Sequence, residues 1–307
     1  MIEVEHLRKS YGDFDAIRDI TFRVEPGEIL GFLGPNGAGK TTTMRVVTGY
    51  LPATSGTARV DGFDVNEQSM AVRQRIGYLP ESPPLYLDMT VESYLHFVAE
   101  IKRVSAGDRP TFVNRAIERC NLTEKRHDLI RKLSKGFKQR VGIAQALVHD
   151  PPAIVLDEPT VGLDPKQIID VRNLIKSLAG DHTIILSTHI LPEVSMTCDR
   201  VVIVNRGQVA ATGTPDELTA QLAGSQQVNL EIGGTRDAIS AVLAVRPDIE
   251  LQKLEALSEE AGTSRWAICV SKAGGSDAWI KDLAAALVRA ELDIYELQRS
   301  RASLEDI

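Results

Sequence analysis

From Met1 to about Gly224, short apolar runs alternate with stretches in which apolar residues recur at helical spacing. The runs Glu28-Ile-Leu-Gly-Phe-Leu33, Ala153-Ile-Val-Leu156 and Thr183-Ile-Ile-Leu186 are continuously apolar past their first residue, as strands buried on both faces require. Separated by helical stretches, they predict an α/β core whose sheet is covered on both sides. Gly213-Thr-Pro-Asp-Glu-Leu218 reads as a turn and then a short helix, with Pro at its first position and acidic residues in its first turn. A domain boundary is expected at Gly224–Ser225.

Past that point the pattern changes. Val228, Leu230 and Ile232 alternate as in a strand, Ala238, Ile239, Val242 and Leu243 fall at helical spacing, and a weaker strand lies near Ile249 to Leu257. Trp266, Ile268 and Val270 alternate again, Ile280, Leu283, Ala284 and Leu287 mark a helix, and Leu292-Asp-Ile294 opens another strand. The order βαββαβ predicts a small α+β, ferredoxin-like unit over 225–307. The core is not repeated, so one nucleotide site is expected per chain.

Composition narrows the class. A chain of 307 residues, 43% hydrophobic and 25% charged, can bury one large core or two smaller ones. A net charge of -7 argues against a broad basic footprint, and no nucleic-acid partner is expected. Cys120, Cys198 and Cys269 have no paired spacing and read as reduced thiols in the cytoplasm. The amino terminus Met1-Ile-Glu-Val-Glu-His-Leu7 begins directly with strand-like alternation and lacks the features of a secretory signal, and no run reaches the ~20 apolar residues that span a bilayer. Membrane work would therefore need a partner.

Chemistry enters with Gly34-Pro-Asn-Gly-Ala-Gly-Lys-Thr41, which matches G-x-x-x-x-G-K-[ST] directly after an apolar strand and opens a helical stretch from Thr42 to Val47. Gly34, Gly37 and Gly39, with Pro35, Asn36 and Ala38 between them, let the backbone turn its amides toward phosphate oxygens. Lys40 would span the β and γ phosphates of ATP and Thr41 would offer its hydroxyl to Mg2+, with Thr42 beside them. An accidental match in a chain this long has roughly one chance in a hundred, and the flanking elements lower it further. The second element is the strand ending in Asp157-Glu158. Asp157 can hold the magnesium shell, and Glu158 can take a proton from, or orient, an attacking water.

Between these two motifs stands Leu133-Ser-Lys-Gly-Phe-Lys-Gln-Arg140, followed by the helical run Val141–Leu147. Here the chain resembles the ATP-binding cassette (ABC) family, whose commonest form of this segment reads Leu-Ser-Gly-Gly-Gln. Lys135 and Phe137 depart from it, while Ser134 and Gly136 keep the hydroxyl and amide that can hold a γ-phosphate. Val161-Gly-Leu-Asp164 resembles the family's cross-dimer loop, Thr188-His189 its switch histidine, and Tyr11 its adenine-stacking aromatic. Glu81 stands where the family places a magnesium-reaching Gln.

The resemblance implies a P-loop NTPase core over 1–224 with a helical subdomain at about 85–150. It also implies a head-to-tail dimer with a second copy, in which Ser134, Gly136 and Asp164 reach the partner's ATP. Further implied are a separate integral membrane permease, touched by Pro83–Leu87, and a position at the inner face of the membrane. The tail Arg299–Ile307 looks like that of exporter subunits in the gliding-motility, multidrug and copper-related group. The rival readings are a soluble cassette ATPase acting on ribosomes or nucleic acid, a P-loop GTPase or kinase, and a regulatory ATP switch. The first usually carries two cassettes or a long insertion. The second lacks Asn-Lys-x-Asp here, and Glu158 speaks against the third. Cargo and direction are not legible.

Overall fold

The structure is a computed structural model that describes residues 1–218, 225–246, 249–260, 263–273 and 278–301. It divides into two compact units, Met1–Pro215 and Asp216–Ile307. The division precedes the boundary expected at Gly224, because the last strand of the first sheet ends at Gly213 and the chain then leaves that sheet in a helical turn at 215–218. Gly224 itself and the tail 302–307 lie outside the described residues.

The first unit opens with antiparallel strands β1 (Ile2–Tyr11) and β2 (Phe14–Val24), followed by β3 (Ile29–Leu33) and helix α1 (Lys40–Val47). Next come β4 (Ser55–Val60), β5 (Phe63–Asp64), α2 (Ser69–Arg75) and β6 (Ile76–Leu79). Helices α3 (Val91–Ile101), α4 (Arg109–Arg119) and α5 (Lys135–Leu147) then pack on one another. The unit closes with β7 (Ala153–Asp157), α6 (Pro165–Ser177), β8 (Thr183–Thr188), α7 (Leu191–Thr197), β9 (Arg200–Asn205) and β10 (Gln208–Gly213).

These strands form one sheet in the order β5-β4-β1-β2-β10-β9-β3-β8-β7-β6. From β9 to β6 every pairing is parallel. Every residue of β3, β7 and β8 is buried, which is why these segments read as unbroken apolar runs. The wing β5-β4-β1-β2 is antiparallel, with half-buried strands and a β1 bulge at His6, whose φ is 47°. It joins the parallel part through β10 beside β2. Phe22 and Phe32 meet between wing and core, ring centroids 5.3 Å apart. Helix α5 lies close on β6: a side chain at Gly77 would strike the Ala146 carbonyl at 2.1 Å.

At the end of α5, His149 has both ring nitrogens buried without a hydrogen-bond partner. Burial, reinforced by the nearby Lys102 ammonium, pushes its pKa down to about 3. The unfolded chain binds that proton near pH 6.5, so stability is lost as pH falls below 6.5 toward 3. At about 1.4 kcal/mol per pH unit this one group costs on the order of 3 kcal/mol by pH 4. His149→Phe is expected to flatten the acid side of a denaturant-melt profile measured between pH 4 and 7; an unchanged slope would refute the assignment.

The second unit runs β11 (Ser225–Gly233), α8 (Arg236–Ala244), β12 (Glu250–Glu260), β13 (Thr263–Ala273), α9 (Ala278–Arg289) and β14 (Asp293–Arg301). Its antiparallel sheet has the order β12-β13-β11-β14: the consecutive strands β12 and β13 pair directly, while each helix connects two strands that have one other strand between them, α8 from β11 to β12 and α9 from β13 to β14. Val228, Leu230, Ile232, Ile268 and Val270 pack under Ile239 of α8 and Trp279, Leu283 and Leu287 of α9. Two βαβ halves thus share one apolar core.

Candidate active site

The phosphate loop spans the carboxyl end of β3 and the amino end of α1. Gly39 is the step that lets it turn: its φ is 102°, and a Cβ there would lie 2.6 Å from the Ala16 carbonyl. Thr43 ties the helix back to the loop, its amide and hydroxyl both donating to the Gly39 carbonyl at 2.9 Å. Lys40 is 6% exposed. Its Nζ donates to the carbonyls of Gly34 at 2.8 Å and Pro35 at 3.2 Å, and lies 3.5 Å from Glu158 Oε1.

The acidic pair closes the carboxyl end of β7. Asp157 is fully buried and neither carboxylate oxygen has a hydrogen-bond partner. Burial holds its carboxyl above the usual range, with the Ser187 and Thr41 hydroxyls beside it working the other way and Glu158 and Glu81 adding to the rise. An orphaned carboxylate next to Thr41 is a fitting place for a hard divalent cation. Among the described residues no group of three or more His, Cys, Asp or Glu could hold a metal ion. The groups that could hold one are the Asp157 and Glu81 carboxylates and the Thr41 hydroxyl, a set that would suit Mg2+, an ion that keeps waters and shares phosphate oxygens.

Glu158 adopts φ 50°, uncommon for a side-chain-bearing residue, and its amide donates to the Ser187 carbonyl at 2.8 Å. The turn aims the carboxylate at His189, whose Nδ1 is 3.0 Å from both Oε1 and Oε2. Since a carboxylate only accepts, the proton of the neutral ring is on Nδ1.

A cavity of about 450 Å³ brings these parts together. It is lined by Asn36, Gly37, Gly39, Lys40, Thr41, Thr42, Glu81, Glu158 and His189, all singled out from sequence, by Val161, which opens the segment resembling the cross-dimer loop, and by Phe14 and Ala16, which were not singled out. Gly34, Pro35 and Ala38 shape the loop without lining the cavity. Tyr11 is absent from the lining too; it is half exposed, with Lys9 Nζ 5.3 Å from its ring centroid. Phe14 takes that edge because the hairpin places it directly opposite Tyr11 across Gly12-Asp13. That two-residue turn between aromatics was the available signal.

Ser134, Gly136 and Asp164 lie elsewhere on the unit and do not line the cavity. Ser134 caps α5, its Oγ accepting from the Phe137 amide at 3.4 Å, and Asp164 caps α6, accepting from the Gln167 amide at 3.0 Å. Gly136 leaves room for the Gln167 side chain, and the Lys135 ammonium occupies the space beside Gly162 where a Cβ would stand. The departure at Lys135 thus seats the cap of α5 against the loop that leads into α6.

The model of the ABC transporter family matches residues 17–161. The linearmycin resistance ATP-binding protein LnrL of Bacillus subtilis (strain 168) is 33% identical over 261 residues, covering 83% of each chain. The chain belongs to the ABC transporter ATP-binding proteins. A second relative in this family, the uncharacterized ABC transporter ATP-binding protein YdbJ of the same organism, is 32% identical and aligns with 100% of this chain and 93% of its own, so the match extends through both units. Among solved structures, that of an ATP-binding subunit of an ABC transporter superposes with a TM-score of 0.66 at 32% identity, over 72% of this chain and 92% of that one. The ABC ATPase fold and ATP binding expected from sequence stand, and the protein is an ATPase. Among the described residues no helix is long and apolar enough to cross a membrane.

Proposed function

We propose that this ABC ATPase is the motor of an exporter and works as a head-to-tail pair of copies on a separate membrane permease. The observation that carries the reading is the division of the site. Lys40, Thr41, Glu158 and His189 share one cavity, whereas Ser134, Lys135 and Asp164 are exposed on capped helix ends outside it. A second copy would bring its Ser134 hydroxyl and Gly136 amide to the γ-phosphate, completing each site in trans.

Within that site the phosphate-loop amides and Lys40 hold the β and γ phosphates. Thr41, Asp157 and Glu81 would hold Mg2+, which when bound neutralises charge on the phosphate oxygens. Glu158 orients the water and draws its proton as the terminal P–O bond breaks, and His189 keeps that carboxylate in place through Nδ1–H. Phe14 offers an aromatic face at the cavity edge for the base.

Support for a permease comes from the segment after Glu81. Tyr86, Leu87, Phe97 and Ile101 are exposed and adjoining, with the Tyr86 ring 5.3 Å from Phe97 and edge-on to Tyr94 at 6.0 Å. An apolar cluster at the surface of the helical subdomain suits docking of a membrane protein at the inner face of the bilayer. Export follows the resistance named for the relative LnrL.

Mixing variants tests the shared site. Lys40→Ala and Ser134→Arg chains are each expected to be inactive alone. Together they should recover about a quarter of wild-type turnover, because half of the random dimers hold one intact site. No recovery would remove the case for trans completion.

A further inference from the structure

Glu193 plays no part in the chemistry above, yet its carboxylate is only 6% exposed and fully engaged. The Thr160 hydroxyl donates to Oε1 at 2.5 Å and the Thr188 hydroxyl to Oε2 at 2.9 Å. Both threonines are buried, and Thr188 Oγ1 also accepts from the Ile190 amide at 3.1 Å. Burying a carboxylate between two hydroxyls is a poor route to stability, since apolar side chains of similar volume commonly do as well. What the arrangement supplies is placement.

The two gripped residues are telling. Thr188 directly precedes His189. Thr160 follows Glu158-Pro159 and starts the turn toward Asp164, its carbonyl accepting from the Leu163 amide at 3.1 Å. Glu158 itself sits in a left-handed conformation, which persists only where its surroundings over-determine it. One carboxylate on α7 therefore fastens the backbone on the far side of Glu158 to the backbone on the near side of His189.

We propose that Glu193 is a positioning residue: it sets the separation of Glu158 and His189, and with it the aim of the attacking water. The proposal rests on the roles given to Glu158 and His189 above. Since His189 Nδ1 is 3.0 Å from each Glu158 oxygen, a sideways slip of either segment would break the two-point contact. Misplacement by about 1 Å can cost on the order of a hundredfold in rate while leaving substrate binding nearly intact. Glu193 bonds to Thr160 and Thr188, whereas Lys40 is held chiefly by the Gly34 and Pro35 carbonyls, so ATP affinity should change little.

The test compares Glu193→Ala, Glu193→Gln, Thr160→Val and the Thr160→Val/Glu193→Ala double variant in the full chain, with steady-state ATPase and thermal melts on each. Glu193→Ala is expected to lower kcat about 10- to 100-fold with KM for ATP within about threefold. Glu193→Gln, which keeps the shape and one acceptor, should recover part of the loss. The double variant should be no slower than the slower single one, as members of one linkage are non-additive. If Glu193→Ala does not fold, Glu193→Gln and Thr160→Val carry the test, since both preserve volume. Wild-type kcat in folded variants, or kcat losses that only track the folded fraction, would overturn the proposal. Glu158→Gln in the same assay separates the two readings. Turnover surviving in Glu158→Gln defeats the site assignment, whereas an inactive Glu158→Gln beside a fully active Glu193→Ala defeats the positioning role alone.

Discussion

Glu158→Gln is expected to cut ATP turnover by about 10²- to 10³-fold while ATP still binds and holds two chains together. The amide keeps the size and one acceptor for His189 Nδ1–H, which now lies 3.0 Å from both carboxylate oxygens. It cannot take a proton from water. It also withdraws a negative charge from a cavity that Glu81 lines, with the buried Asp157 carboxyl near both, so the triphosphate meets less repulsion. Phosphate release gives the rate, and sedimentation with and without ATP gives the dimer. Hydrolysis at the wild-type rate would show that another group activates the water; loss of ATP binding would show that Glu158 mainly supports the loop.

The second large effect is expected at Lys40. Its ammonium is buried against the Gly34 and Pro35 carbonyls and 3.5 Å from Glu158. Lys40→Ala removes the cation that meets the phosphates and leaves two loop carbonyls and a buried carboxylate without it. ATP affinity should fall by at least about a hundredfold, the size of a charge-assisted contact of about 3 kcal/mol. The fold should lose about 1–3 kcal/mol, less than a fully orphaned charge, because His189 still donates to Glu158. Titration calorimetry and denaturant melts read the two separately. Unchanged ATP affinity would remove Lys40 from the phosphate site.

These predictions draw on parts of the site that differ in how plainly the chain announces them. The phosphate loop, Asp157 and Glu158 were readable because each is contiguous: an apolar strand, then polar residues at its carboxyl end, then a helix. The parallel strands were readable for the same reason, being apolar throughout. The antiparallel wing was visible only as alternation in its first strand, since half-buried strands with a bulge at His6 carry a weak pattern. Tyr11 was singled out for the cavity, and the structure puts Phe14 in its lining instead. The two residues pair directly across a hairpin, and which of two exposed neighbouring rings borders the cavity depends on how the hairpin sits against the phosphate loop.

By itself, then, the sequence determined the family and the nucleotide class and marked out the loop proposed to meet phosphate, because those properties depend on short segments whose backbone geometry is locally encoded. It also pointed to two units through the change from continuous apolar runs to alternating ones, with a boundary later than the division after Pro215. Only the tertiary structure decided that Glu158 lies on a left-handed turn facing His189, and that Asp157 is an orphaned buried carboxylate. It alone decided that Glu193 grips Thr160 and Thr188. Those relations join residues from strands and helices far apart in the chain. Their distances are set by how the layers pack, which no local pattern of polar and apolar residues specifies.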